Sequence, residues 1–134
     1  MLVSVYSNPQ TVCSMSCKDN NIEVSVSDDF ARQAKRFAKK YPSFKNDYKN
    51  FLDSIKENPL QGVEIAKNIR KIRMAIGSKG KGKSGGARII TFNVLTDIQN
   101  GHVFFLLIYD KEEDSTVKVN LVKKMVRDMG FDIE

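Results

Sequence analysis

Residues 103–109 read VFFLLIY, an apolar run broken by no charged or amide side chain. That length suits a strand and is short for a helix. A strand with no polar face has none to turn toward water, so the run predicts a central strand covered on both sides. Asp110 and Lys111 follow it directly.

The segments around it alternate between two periodicities. Phe30, Ala34, Phe37, Ala38 and Tyr41 fall on one helical stripe, with Lys35, Arg36, Lys39 and Lys40 mainly on the other side. Ser27 or Asp28 suits the N-cap, and Pro42 stops the helix. Phe44, Tyr48, Phe51, Leu52 and Ile55 repeat the spacing, with Ser43 as the expected cap and Glu57, Asn58 and Pro59 as the exit. Two such stripes predict an antiparallel helix pair, joined by a very short turn and laid against a sheet. Residues 22–27 alternate as a half-buried strand does. In residues 70–76, Ile72, Met74 and Ile76 share one face, and Lys71, Arg73 and Ala75 share the other. Residues 87–95 are rich in strand formers, and Asn100-Gly101 is a tight-hairpin signal. Val122, Met125, Val126 and Met129 mark a short amphipathic helix, with Gly130 at the place of a C-terminal cap. The order strand, helix, helix, three strands, helix is that of an α+β protein with a small, mostly antiparallel sheet. Residues 22–134 are expected to form one domain, preceded by a flexible extension over residues 1–21.

Composition narrows the class further. At 134 residues, with 41% apolar and 28% charged side chains, the chain matches an ordinary globular domain. No apolar run approaches the roughly 20 residues that cross a bilayer. MLVSVYS at the start lacks the basic lead of a secretory signal, so a cytoplasmic location is expected. Cys13 and Cys17 do not have zinc spacing, and His102, beside the turn signal, reads as a surface residue. No metal or cofactor is expected.

The net charge of +6 is unevenly placed. Lys67, Arg70, Lys71, Arg73, Lys79, Lys81, Lys83 and Arg88 lie in a segment with no acidic residue. Of 22 basic residues, these eight leave 14 against 16 acidic ones, a net charge of −2 elsewhere. One local patch of this kind attracts a polyanion. Within it, GSKGKGKS (residues 77–84) satisfies the phosphate-loop pattern G-x-x-x-x-G-K-[ST]. A phosphate loop must open a helix, whose N-terminus holds the phosphates. Gly85, Gly86 and nine strand-forming residues follow instead, so the pattern reflects glycine and lysine enrichment. The lysines can instead neutralise nucleic-acid phosphates from a glycine-rich loop. Lys71, Arg73 and Arg88, on neighbouring strands, can gather beside them and stabilise charge on a phosphorane.

Residues 70–92, RKIRMAIGSKGKGKSGGARIITF, together with FFLLIYDKEE (104–113), resemble the RelE/ParE toxin superfamily, and its HigB/RelE-like branch above all. Residues 37–62 fit that family's helix pair and its Asn-Pro exit. The resemblance implies a small curved antiparallel sheet against an N-terminal helical hairpin, with a short C-terminal helix. It implies the toxin of a toxin–antitoxin pair, a metal-independent endoribonuclease that cuts messenger RNA on the ribosome through attack of a ribose 2′-OH. Its partners would be a cognate antitoxin, messenger and ribosomal RNA, and operator DNA reached through the antitoxin. Carried over residue by residue, Lys71 is the base, Arg73 and Arg88 stabilise the phosphate, and Tyr109 or Lys111 assists or donates the proton. Arg70, Lys79, Lys81, Lys83 and Ser84 would contact RNA. Glu112 and Glu113 depart from the RelE pattern, in which a basic residue follows the lysine. Two other readings are a ParE-like inhibitor of DNA gyrase on the same fold and a noncatalytic RNA-binding module.

Overall fold

A computed structural model describes residues 2–4, 21–79, 86–97, 100–110 and 119–131. Its elements run β1 (Leu2–Ser4), β2 (Asn21–Ser27), α1 (Asp28–Lys40), α2 (Phe44–Glu57), β3 (Val63–Ala66), β4 (Ile69–Met74), a 3₁₀ turn (Gly77–Lys79), β5 (Ala87–Asp97), β6 (Asn100–Asp110) and α3 (Val119–Asp128). The fold is α+β. Its six strands form one sheet in the order β1-β2-β6-β5-β4-β3. Neighbours are antiparallel except β2 and β6, which run parallel, so the sheet is mixed. Two of these strands are additions to the expected order. Leu2–Ser4, within the stretch expected to be an extension, pairs with β2. Val63–Ala66 is too short and too exposed to show a clear alternation.

β6 lies inside the sheet and is covered on both faces. One core holds Val24, Phe30, Phe37, Phe51, Ile55, Ile72, Ile89 and Phe105 and receives α1 and α2. The other holds Ile69, Ile90, Phe92, Phe104 and Leu106 under Val122 and Val126 of α3. The two helical stripes therefore do lie on the sheet, although Ala38 is exposed. A register shift separates Ile90↔Leu107 from Thr91↔Phe105 and leaves Leu106 as the extra residue. The alternation changes phase there. Val103, Phe105 and Ile108 face the first core, while Phe104, Leu106, Leu107 and Tyr109 face the second. Strict period two from Phe105 would have sent Tyr109 toward the helix pair.

Capping chemistry fixes the helices. The Ser27 hydroxyl accepts the Phe30 N–H (3.0 Å) and donates to the Leu106 carbonyl (2.7 Å), so one side chain starts α1 and ties it to β6. Ser43 does not cap α2 as expected: its backbone is helical and its side chain makes no cap bond. The hairpin expectation also shifts. Asp97 pairs with Asn100, so Asn100 and Gly101 begin β6 rather than form the turn, and residues 98 and 99 lie outside the described residues.

α3 ends in a Schellman pattern. Phe131 N–H donates to the Val126 carbonyl (3.3 Å) and Gly130 N–H to that of Arg127 (2.9 Å). Gly130, at φ 99°, turns Phe131 back onto Phe92 and Phe104, with ring centroids 5.1 and 5.4 Å away. A Cβ at Gly130 would meet no atom within 4 Å, so Gly130→Ala carries only the conformational cost. It is expected to lower stability by about 1 kcal/mol, read from the denaturant midpoint.

His102 is more enclosed than a surface residue. Its ring stacks on Phe104 at 4.3 Å, and its Nε2 lies 2.7 Å from Ser25 Oγ. Burial lowers its pKa below 6.5, partly opposed by Glu23. Folding thus disfavours the imidazolium. The contribution is complete above pH 6.5 and is lost as pH falls from there through the folded-state value. Unfolding midpoints are expected to drop over that window in the wild type, with the drop reduced in His102→Phe, which keeps the stack.

Candidate nucleic-acid interface

The pattern of β4 alternates Ile69, Lys71 and Arg73 with Arg70, Ile72 and Met74, so its cations divide between faces. Ile69 belongs to the α3-side core and Ile72 and Met74 to the hairpin-side core. Lys71 and Arg73 therefore project on the α3 side. On β5, Ile90 marks that side as well, and Arg88, two residues away, shares it. Arg73 is the register partner of Arg88, and Arg88 is the partner of Tyr109. Three strands thus set Arg73, Arg88 and Tyr109 in one row, with Cβ atoms of direct partners about 5 Å apart. Lys71 sits one pleat repeat further along, opposite Ile90. Arg73 is exposed, and Lys71 and Arg88 are half-buried.

The remaining expected residues are distributed differently. Tyr109 packs into the α3-side core with its hydroxyl enclosed, which gives it a packing role beside the cations. Arg70 lies on the other face, where its guanidinium donates to the carbonyls of Gln61 (2.7 Å) and Gly62 (3.1 Å). It holds the turn into β3 and stands apart from the row. The backbone of Lys79 closes the 3₁₀ turn, but its side chain, with Lys81, Lys83, Ser84 and Lys111, lies outside the described residues. After the loop the chain enters β5, not a helix, so the GSKGKGKS pattern lacks the helix N-terminus that nucleotide binding requires.

Ser43, Ser78 and Asp47, in roles the sequence did not suggest, hold the near end of the loop. Ser43 N–H donates to Ser78 Oγ and Ser78 N–H to Ser43 Oγ, both at 2.8 Å. The Ser78 hydroxyl donates to Ser43 Oγ (2.7 Å), which itself donates to Asp47 Oδ2 (2.7 Å). Asp47 Oδ2 also accepts the Gly77 N–H (2.9 Å). This reciprocal clamp joins the start of α2 to the segment leaving β4. At the far end, Gly86 makes room for the strands to close: a Cβ there would lie 2.1 Å from the Met74 carbonyl oxygen. Both ends of the loop are therefore fixed beside the arginine row. No local signal marks Asp47, because its partner Gly77 is 30 residues away.

Compared with models of known protein families, the sequence matches none. Among the described residues no helix is long and apolar enough to cross a membrane.

Removing the Asp47 carboxylate leaves the Gly77 N–H and the Ser43 hydroxyl without their acceptor. Asp47→Ala is expected to cost about 1 kcal/mol. Amide exchange at Gly77 and Ser78 should accelerate, while that of β6 follows global stability alone. Exchange measured residue by residue by NMR checks this.

Proposed function

We propose that this protein is the toxin of a toxin–antitoxin pair, a metal-independent endoribonuclease that cuts messenger RNA on the ribosome. The observation that carries the reading is the direct pairing of Arg73 with Arg88, with Lys71 on the same face. Like charges placed opposite each other on neighbouring strands are destabilising. A polyanion offsets this repulsion, and a phosphorane, carrying more charge than the diester, offsets it further. The resemblance of residues 70–92 and 104–113 to RelE-like toxins supports the same conclusion.

In this mechanism Lys71 takes the proton of a ribose 2′-OH. The oxygen attacks the adjacent phosphorus and forms a 2′,3′-cyclic phosphate. The bond to the 5′-oxygen breaks, and that oxygen leaves with a proton. Arg73 and Arg88 hold the non-bridging oxygens, and their contacts tighten as charge builds, which lowers the barrier. Lys111 donates to the leaving oxygen, because the Tyr109 hydroxyl is enclosed in the α3-side core. The lysines of the 77–84 loop contact phosphates on either side of the cut or on ribosomal RNA. A cognate antitoxin silences the protein by covering the basic face, in the cytoplasm where the ribosomes are.

The test is induced expression in bacteria with mapping of transcript 5′ ends. Codon-phased cuts are expected from the wild type. Loss of the base in Lys71→Ala should slow cleavage by about 10²–10⁴, and loss of charge in Arg73→Ala or Arg88→Ala by about 10²–10³. Growth arrest with intact transcripts overturns the reading, and DNA-damage signalling in that case assigns the protein to gyrase. RNA binding that Arg73→Ala weakens, with no cleavage by the wild type, assigns it to noncatalytic binding.

A further inference from the structure

The end of the sheet that carries Arg88 and Tyr109 has a second cationic wall on its opposite face. Lys35, Arg36, Lys39 and Lys40 are all exposed on α1, and their spacing places them on one ridge. Arg36 donates to Gln33 (2.8 Å). Neither Lys35 nor Lys39 forms a salt bridge with a described carboxylate. Cations in the last turn also complement the helix dipole, but that effect fades within one turn. Lys35 and Arg36 stand further back, so the ridge exceeds what the helix end requires.

A groove of about 330 Å³ runs beside the ridge, between the last turns of α1 and the end of β6, with Phe37 and Tyr41 among its walls. Asp110 also lines it but is 2% exposed and accepts the Tyr41 hydroxyl at 2.7 Å, so its charge is turned into the fold. Asp110 follows Tyr109 directly and pairs with Ala87, the neighbour of Arg88. The groove and the arginine row thus occupy opposite faces at the same end of the sheet, one residue apart along β6.

We propose that the RNA strand cut at the arginine row continues over this end of the sheet into the α1 groove. Its phosphates lie along Lys35 and Lys39, beside the groove that Phe37 and Lys40 help to wall. This rests on the ribonuclease reading above and adds a second subsite to it. A single strand bends readily enough to pass around the end of a sheet, and a positively charged groove tracks its backbone.

The test compares Lys35→Glu/Lys39→Glu with the wild type and with Arg73→Ala, using fluorescent oligouridylates of two lengths. One is a trinucleotide, spanning the arginine row alone, and the other a dodecanucleotide. For the longer RNA the double variant is expected to bind at least about tenfold more weakly. The slope of log K against log salt should shrink by about 0.7 for each phosphate that the variant no longer neutralises. Trinucleotide affinity should stay at the wild-type value, and the thermal midpoint should fall only by the small helix-dipole cost of a carboxylate at position 39. Equal affinity of wild type and double variant for the longer RNA overturns the second subsite, and if Arg73→Ala still weakens both RNAs the ribonuclease reading stands. Equal loss for both lengths also overturns it, because a diffuse field then explains the effect. If the wild type does not bind the longer RNA, the second subsite falls, while the ribonuclease reading, which puts cleavage on the ribosome, is decided by the transcript mapping.

Discussion

The fold depends on one constraint: β6 has no face to present to water. Val103, Phe105 and Ile108 need cover on one side, and Phe104, Leu106 and Leu107 on the other. A sheet with only the helical hairpin against it would leave the second set wet, at a cost of about 1.5–3 kcal/mol per large side chain. α3 and the Phe131 turn behind it supply the missing layer. The extra residue at Leu106 decides which side chains go to which layer. By shifting the phase, it delivers Tyr109 to the α3 side, where Arg88 and Arg73 complete the row. The same bulge that lets β6 fill two cores therefore also sets the neighbourhood of the cations.

Like charges set opposite each other, as Arg73 and Arg88 are, cost stability in themselves. Arg73 faces water, where solvent screens it, while the strands beneath are held by Ile69, Ile72, Met74, Ile89 and Ile90. The clamp of Ser43, Ser78 and Asp47 ties the segment that leaves β4 to the start of α2. Five hydrogen bonds among three side chains and their backbone are modest singly. They share atoms, so none is lost without disturbing the others. Rigid scaffold meets a glycine-rich segment at a defined boundary, as is usual where function is carried by loops on a fixed frame.

Much of this was legible in the sequence, for identifiable reasons. The stripes led by Phe30 and Phe44, the strand formers after Ala87 and the apolar run of β6 are strong periodic signals, and they gave α+β and the two-sided β6. The shared face of Lys71 and Arg73 followed from period two alone. The failures mark information that is not local. The bulge at Leu106 is a property of pairing, invisible in a run where every residue is apolar. Ser43 resembled a cap, but its hydroxyl is used by Ser78, a residue distant in sequence. Asn100-Gly101 resembled a turn, but the β5–β6 register places both residues in β6. β3 had too few residues for a period, and β1 belongs to the sheet only because β2 offers it an edge. Of the candidate site, the row was foreseeable; the opposite orientation of Arg70 and the anchoring by Asp47 were not.

The parallel pairing of β2 with β6 has a consequence for how such a chain is made. Asn21 and Asn100 bond side chain to side chain across 79 positions, and the strands between them belong to the same sheet. When α1 and α2 leave the ribosome, the surface they must cover does not yet exist. Vectorial synthesis therefore holds the amphipathic helices and β2 in waiting until the last hairpin emerges, and contacts of such long range close slowly. The cationic face is therefore complete only once β6 has been made and has paired with β5. A binding partner made ahead of it would meet each copy before that face is complete.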